Sequence, residues 1–214
     1  MKDFKGAIFD LDGTVLDSMG LWHKVDVAFF ENRNMEIPEG YIQAISPLGT
    51  YKAAVYTKET YNIKESVEEI IAEWQIIAKN EYSKNVKLKN GAKEYILSLK
   101  EKGVKLAVAT ASDPDMFSAC LKKYGIWDAF QCIVTVNEVG QGKSNPEIYL
   151  RAAEKLGVSV DECAVFEDIS VALKTAKSAG FYCVGVYDSS SEKDIEENKK
   201  IADKFIFNFN EMDV

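Results

Sequence analysis

The sequence has few cysteines, and no two of them form a C-x-x-C pair. Cys120, Cys132, Cys163 and Cys183 are widely spaced, and the last three lie within apolar segments. A free cysteine in such a segment behaves as a small buried hydrophobic residue. We therefore expect structural thiols in the core of a protein from a reducing compartment.

Positive charge is also in short supply. The 26 lysines and arginines face 34 aspartates and glutamates, which gives a formal net charge of −8. Sequence-independent binding to nucleic acid or to an anionic membrane needs clustered Lys and Arg, so the composition argues against both partners. An acidic protein that binds a phosphate has to supply positive charge locally, from a metal ion, a lysine or a helix end.

The chain has no apolar signal segment at its N-terminus, no hydrophobic run long enough to cross a bilayer, no internal repeat and no low-complexity segment. We therefore expect a cytoplasmic protein. Its 214 residues, 47% of them hydrophobic, suit one large domain or a core domain that carries a smaller insert.

The most informative segment is AIFDLDGT, residues 7–14. Its apolar, strand-forming residues are followed by two carboxylates, Asp10 and Asp12, and then by Gly13 and Thr14. Side chains alternate along a strand, so Asp10 and Asp12 are expected on the same side of the strand end. Two acids that close repel each other unless a cation lies between them or one binds a proton. An Asp-Gly pair is also a common turn former, so the rest of the chain has to decide.

Beyond residue 86 the chain alternates between predicted strands and predicted helices. Apolar strands are predicted at residues 104–109, 132–136, 163–166, 182–186 and 205–207, and helices at 92–102, 114–124, 146–156, 171–179 and 192–200. Such alternation indicates parallel pairing, and continuous apolar strands indicate a sheet covered on both faces. We predict an α/β fold, with a Rossmann-like parallel sheet formed by residues 1–16 and 86–214. Helical periodicity between them predicts an inserted all-helical domain over residues 17–85.

Polar residues follow four of these strands, where ligand sites of parallel sheets lie. They are Asp10 and Asp12, then Thr110, Ala111 and Ser112, then Lys143 in GKSNPEIY, and finally Glu167 and Asp168. In order and separation these residues resemble the four motifs of the haloacid dehalogenase superfamily. The insert after the first motif is similar to the helical cap of the subgroup that includes β-phosphoglucomutase and phosphoglycolate phosphatase-like enzymes.

The resemblance implies a Mg²⁺-dependent phosphatase that acts on a small phosphorylated metabolite. Asp10 would be the nucleophile that forms an aspartyl-phosphate, and Asp12 would donate and accept the proton. Lys143 would hold the phosphoryl oxygens and the nucleophile by its charge, and Thr110 by its hydroxyl and nearby N–H groups. Asp10 and Asp168 would bind Mg²⁺, with the backbone carbonyl of Asp12, and Glu167 would support the metal or contact it through water.

The substrate-binding residues are predicted less sharply. Ser112 either caps the following helix or contacts substrate, and Lys52 is either a specificity-loop residue or a surface lysine. The single histidine, His23, lies one position beyond the histidine of the mutases, where this chain has Trp22. The full set of candidate substrate contacts is Thr14, Ser18, Trp22, His23, Lys52, Ala111 and Ser112.

Two other functions stay open from the sequence. A phosphomutase of the β-phosphoglucomutase type would retain Asp12, although the cap arginine that binds the second phosphate in those enzymes has no match here. A phosphate-responsive receiver would also combine acids, a Thr or Ser and a Lys on a parallel sheet. The retained Asp12 argues against carbon–halogen cleavage. We expect a monomer or a weak dimer.

Overall fold

A computed structural model describes residues 4–45, 48 and 50–212 of the chain. The chain forms two compact units, residues 1–19 with 86–214, and residues 20–85. The predicted insert, residues 17–85, ends at the same residue as this second unit and begins three residues before it. A helical cap domain remains the interpretation that we give to the second unit.

A six-stranded parallel sheet forms the centre of the first unit. Its strands are β1 (Gly6–Phe9), β4 (Lys105–Thr110), β5 (Cys132–Thr135), β6 (Cys163–Glu167), β7 (Tyr182–Val186) and β8 (Lys204–Ile206). Their order in the sheet is β5-β4-β1-β6-β7-β8. A separate antiparallel pair joins β2 (Leu16–Asp17) to β3 (Lys87–Leu88). The predicted α/β fold with a parallel sheet is confirmed.

The order of the strands determines where a site can form. From β1 the chain proceeds to β4 and β5 on one side of β1, and then crosses to β6 on the other side. Phe9, the last residue of β1, is in register with Val108 of β4 and with Phe166 of β6. This reversal of direction leaves a crevice outside the carboxyl end of β1, which is the usual ligand site of such sheets.

Five described helices of the first unit correspond to predicted helices: α5 (Ala92–Glu101), α6 (Pro114–Tyr124), α8 (Glu147–Leu156), α9 (Ser170–Ser178) and α10 (Ile195–Ile201). The short helix α7 (Val136–Val139) is not among the predicted ones. Asp113 begins α6 by accepting the N–H of Asp115 (2.9 Å), and Pro114 stands at the first helical position. The helix predicted over residues 192–200 is shorter, because residues 189–194 form a 3₁₀ segment instead.

The second unit consists of helices: α1 (Leu21–Glu31), α2 (Tyr41–Ile45), α3 (Thr50–Tyr61) and α4 (Val67–Lys84). Ser66 and Glu69 form a capping box that begins α4. Phe29 of α1 packs edge-on against Trp74 of α4, with 5.7 Å between ring centroids. Arg33, two residues beyond α1, links the same two helices: it donates to the carbonyl of Phe29 (2.8 Å) and pairs with Glu73 (2.6 Å).

The four cysteines are free thiols. Cys163 and Cys183 are buried, as their apolar segments predict, and so is Cys120, whereas Cys132 is only half-buried despite its apolar segment. Burial raises the pKa of the Cys183 thiol to about 12, which keeps that thiol protonated. Among the described helices, none combines the length and the apolar character needed to cross a bilayer.

An aromatic cluster forms part of the core beneath the central strands. The rings of Phe9 and Phe166 stack with 4.4 Å between centroids, and Phe209 packs against both rings and against Tyr95. Phe209 is 1% exposed, whereas Phe207 is 53% exposed. We therefore expect these two phenylalanines to differ strongly in their contribution to stability.

Phe209→Ala should lower the free energy of unfolding by about 3–5 kcal/mol, because it leaves a cavity among three rings. Phe207→Ala, its matched control, should lower it by less than about 1 kcal/mol. Urea denaturation followed by circular dichroism measures both values. Equal losses for the two variants would show that the cluster does not carry this stability.

Candidate active site

The first acidic loop begins where β1 ends. Asp10 follows Phe9 directly, is 4% exposed, and donates its backbone N–H to the carbonyl of Phe166 in β6 (3.0 Å). Gly13 has a φ of +87°, and a Cβ there would lie 2.4 Å from Oδ2 of Asp168. Glycine is therefore required twice at this position, for the backbone conformation and for the close approach of the carboxylate.

Lys143 joins Asp10 to the end of β6. Its Nζ donates to Oδ1 of Asp10 and to Oε1 of Glu167, the latter at 2.5 Å. The hydroxyl of Tyr149, in α8, donates to the same Oε1 of Glu167 (2.7 Å). All four side chains are largely or fully buried. The lysine is thus fixed between two carboxylates rather than free in solvent.

Asp168 is held from three directions. Its Oδ1 accepts from the hydroxyl of Thr14 (3.1 Å), and its Oδ2 from the hydroxyl of Ser191 (3.5 Å). Its backbone carbonyl accepts from Nδ2 of Asn198 in α10 (2.8 Å). Thr14, a predicted substrate contact, therefore makes its side-chain hydrogen bond to a candidate metal ligand.

Asp12 is flanked by two serines that the sequence suggests as substrate contacts. Ser18 donates to its Oδ1 (2.5 Å) and Ser112 to its Oδ2 (2.6 Å). The N–H of Ser112 donates in turn to the hydroxyl oxygen of Thr110 (3.0 Å). Both serines thus orient the carboxylate of Asp12, and Ser112 does not cap α6, since Asp113 does. Ala111, between Thr110 and Ser112, is exposed.

The remaining candidates, Trp22, His23 and Lys52, belong to the second unit. Trp22 and His23 lie on α1, and Trp22 is 51% exposed. His23 is also exposed. Lys52 is exposed within the first turn of α3, so it lies on a helix rather than in a loop, and its part in specificity stays a prediction.

Burial controls the protonation of the acids. It raises the pKa of Asp10 to about 7; Lys143 opposes this rise, whereas Glu167 and Asp12 add to it. Burial and the charge of Asp10 raise the pKa of Asp168 to about 7, and burial also raises the pKa of Glu167. Burial disfavours the charged form of Lys143, but Asp10 and Glu167 raise its pKa above the usual value overall. One lysine therefore faces an excess of acids.

This cluster has the properties of a site for a hard divalent cation. Oxygen atoms of Asp10, Glu167 and Asp168 lie within 4.8 Å of one another, and all three residues are buried. Among the described residues, Oε2 of Glu167 has no hydrogen-bond partner. A buried carboxylate oxygen without a partner is costly, and a cation ligated by oxygen atoms satisfies it. The side chain of Asp12 is not part of this cluster.

Sequence patterns did not identify three of the residues that support the site: Tyr149, Ser191 and Asn198. Tyr149 lies on the buried face of α8 beside Ile148 and Ala152, and so resembles a core residue in the pattern. A buried phenol in an apolar stripe needs a hydrogen-bond partner, which is the one signal that could have found it. Ser191 and Asn198 carry no signal, because their partner lies 23 to 30 residues away in the chain.

Comparison with known proteins agrees with this geometry. The family model described as haloacid dehalogenase-like hydrolase matches residues 7–186. The protein YhcW of Bacillus subtilis (strain 168) is 33% identical over 184 residues, which cover 84% of this chain and 82% of the relative. A phosphorylated carbohydrates phosphatase of Thermotoga maritima is 28% identical over 176 residues, 82% of each chain.

A solved structure is similar over almost the whole length of the chain. The crystal structure of a β-phosphoglucomutase-like protein from Thermotoga maritima has a TM-score of 0.83 and 27% identity, and the match covers 94% of both chains. The predicted family and the predicted enzyme class, a hydrolase of phosphate esters, are therefore confirmed. The chain belongs to the haloacid dehalogenase-like hydrolases.

Proposed function

We propose that this enzyme hydrolyses the phosphomonoester of a small soluble metabolite in a Mg²⁺-dependent reaction through an aspartyl-phosphate at Asp10. The observation that carries the proposal is the position of Asp10. It is buried at the switch point of the sheet, bound to Lys143, and close to the carboxylates of Glu167 and Asp168. Because a relative acts on phosphorylated carbohydrates, sugar phosphates are the first substrates to test.

The chemistry divides into two displacements. In the first, a carboxylate oxygen of Asp10 bonds to phosphorus while the bond from phosphorus to the ester oxygen breaks, and Asp12 donates a proton to that oxygen. In the second, Asp12 accepts a proton from water as the water oxygen bonds to phosphorus and the bond to Asp10 breaks. Inorganic phosphate and the free alcohol are the products.

Other residues of the first unit support this reaction. Ser18 and Ser112 hold both oxygens of Asp12, which fixes the direction of its proton transfer. Lys143 provides positive charge for the phosphoryl oxygens and favours the ionised form of Asp10. Thr110 and the backbone beside it provide further donors for the same oxygens.

Asp10 and Asp168 would hold Mg²⁺, with the backbone carbonyl of Asp12, while Glu167 supports it directly or through water. When bound, the cation would neutralise the phosphate and the acids that Lys143 alone leaves in excess. We propose that three exposed residues of the second unit recognise the leaving group: Trp22, His23 and Lys52. We propose that this unit is a cap that excludes bulk water from the reaction.

Asp10→Asn should lower the rate of hydrolysis of a chromogenic aryl phosphate by about a thousandfold or more, because an amide oxygen does not form the covalent intermediate. Asp17→Asn, an exposed aspartate of β2, is the matched control and should retain wild-type turnover. Circular dichroism verifies the fold of both variants. Near-normal activity of Asp10→Asn would exclude Asp10 as the nucleophile.

Stabilisation by Mg²⁺ should increase with pH. Since burial raises the pKa of Asp10 and Asp168 from 3.8 to about 7, the metal-free folded state retains protons that the unfolded chain releases. The stability that these protons supply is complete below an acidic pH of about 4 and is lost as the pH rises through 7. A cation binds the ionised carboxylates, so its contribution has the opposite dependence.

The melting temperature in Mg²⁺ and in EDTA should therefore differ by several degrees at about pH 8, and by much less at about pH 5.5. Asp168→Asn should abolish the difference at the higher pH. Thermal denaturation in both buffers provides the measurement. A shift of the same size at both pH values would contradict a site formed by these carboxylates.

A phosphomutase is the second candidate, because the chain resembles a β-phosphoglucomutase-like structure over 94% of its length. The two functions differ in their product. Incubation with β-glucose 1-phosphate, Mg²⁺ and a bisphosphate primer should release mainly inorganic phosphate, measured by a colorimetric phosphate assay. Glucose 6-phosphate as the main product, detected with a coupled dehydrogenase, would establish the mutase instead.

A further inference from the structure

A buried ion pair lies beside the candidate metal site and takes no part in the proposed chemistry. Nζ of Lys89, the residue after β3, donates to Oδ2 of Asp188 (2.6 Å) and to the carbonyl of Tyr187 (3.1 Å). The side chain of Asp188 is 2% exposed and that of Lys89 is 16% exposed. Withdrawing such a pair from water gives little net stability, so stability alone does not account for it.

From Asp188, hydrogen bonds lead to one oxygen of Asp168. Oδ1 of Asp188 accepts from the N–H (2.8 Å) and from the hydroxyl (2.6 Å) of Ser190. The N–H of Ser191 donates to the backbone carbonyl of Asp188 (3.1 Å). Asp188 therefore fixes the 3₁₀ segment from which the Ser191 hydroxyl reaches Oδ2 of Asp168.

From Lys89, hydrogen bonds lead to the other oxygen of Asp168. The backbone N–H of Lys89 donates to the carbonyl of Val15 (2.9 Å), which attaches the segment after β3 to the first acidic loop. The preceding residue of that loop, Thr14, donates its hydroxyl to Oδ1 of Asp168. The Lys89–Asp188 pair thus closes a ring of contacts in which both oxygens of Asp168 take part.

We propose that Lys89 and Asp188 are positioning residues, whose ion pair holds together the two segments that orient the carboxylate of Asp168 toward Mg²⁺. The inference rests on the proposed function, since it assigns these residues to the same metal site. Mg²⁺ demands near-ideal octahedral geometry, so a small rotation of one carboxylate weakens its binding. Outer partners of metal ligands commonly affect affinity by about 10–100-fold.

An electrostatic role and a positioning role of the ion pair predict different Mg²⁺ affinities for variants of Lys89 and Asp188. If the pair acted only through its field, Asp188→Asn would weaken Mg²⁺ binding by removing a negative charge nearby. Lys89→Met would then strengthen binding, because it removes a positive charge. If the pair acts by position, each variant releases one side of the ring, and both variants weaken binding.

The experiment is calorimetric titration of Mg²⁺ into metal-free wild-type protein, Lys89→Met, Asp188→Asn and the double variant. We expect each single variant to raise the dissociation constant about tenfold or more, and the double variant to be no weaker than the weaker single variant. Lys5→Met and Glu162→Gln are the matched controls, since Lys5 and Glu162 pair next to the opposite, amino ends of β1 and β6. These controls should bind like wild type.

Changes of opposite sign in the two single variants, or wild-type affinity in both, would overturn the inference. Melting temperatures show whether the pair only stabilises the fold. A lower melting temperature with unchanged Mg²⁺ affinity would also overturn the inference. If either variant fails to fold, Ser191→Ala decides instead: it deletes one hydroxyl of the ring and should weaken Mg²⁺ binding about two- to fivefold, whereas wild-type affinity would count against the ring. Absence of Mg²⁺ binding by the wild-type protein would refute the proposed function itself.

Discussion

The structure of the site depends on burying more negative than positive charge at one end of the central strand. Three carboxylates with oxygens within 4.8 Å of one another share a single lysine, and each is nearly inaccessible to water. Such a group is stable only if it binds protons, is hydrogen-bonded throughout or binds a cation. Raised pKa values meet the first condition, because they keep protons on these acids. The hydroxyls of Thr14, Tyr149 and Ser191 contribute to the second, because they donate hydrogen bonds to the carboxylates. A divalent cation, which we propose for this site, would meet the third condition and would supply the charge that catalysis on a phosphate needs.

The fold makes this arrangement possible because the chain reverses direction around β1. Asp10 directly follows β1, and Lys143 lies 133 positions later, beyond β5 and α7. The two side chains meet at the carboxyl edge of the sheet, although β4 lies between β1 and β5. A glycine with positive φ then lets the carboxylate of Asp168 approach the first loop more closely than any side chain would permit. Rigid strands thus position the acids, and the short loops after them orient the side chains, as is usual at the carboxyl ends of parallel sheets.

The sequence could predict the regular elements that hold the site. The strand Tyr182–Val186 and the helix Pro114–Tyr124 have the bounds that their apolar patterns and caps indicate. In contrast, α3 (Thr50–Tyr61) is not singled out, because few of its side chains are buried and its pattern is weakly amphipathic. The 3₁₀ segment Ser189–Asp194 has no periodicity of its own; it depends on the side chain of Asp188.

Hydrogen-bond partners within the site lie beyond pattern analysis for a physical reason. A serine at position 18 or 112 has the same local signal whether it binds substrate or orients Asp12, since the difference depends on residues brought near by the fold. The same holds for Lys89, which in the sequence resembles any surface lysine between two helices. Four strand ends could be predicted from the sequence, but the contacts among their side chains depend on the three-dimensional fold.

The most direct test of the account is to locate the cation. Crystals grown with Mn²⁺ in place of Mg²⁺ would give an anomalous difference map that marks its position independently of any assumption about ligands. The account predicts one strong peak within coordination distance of carboxylate oxygens of Asp10 and Asp168. A map without a peak at this cluster, at a pH where both acids are ionised, would contradict it.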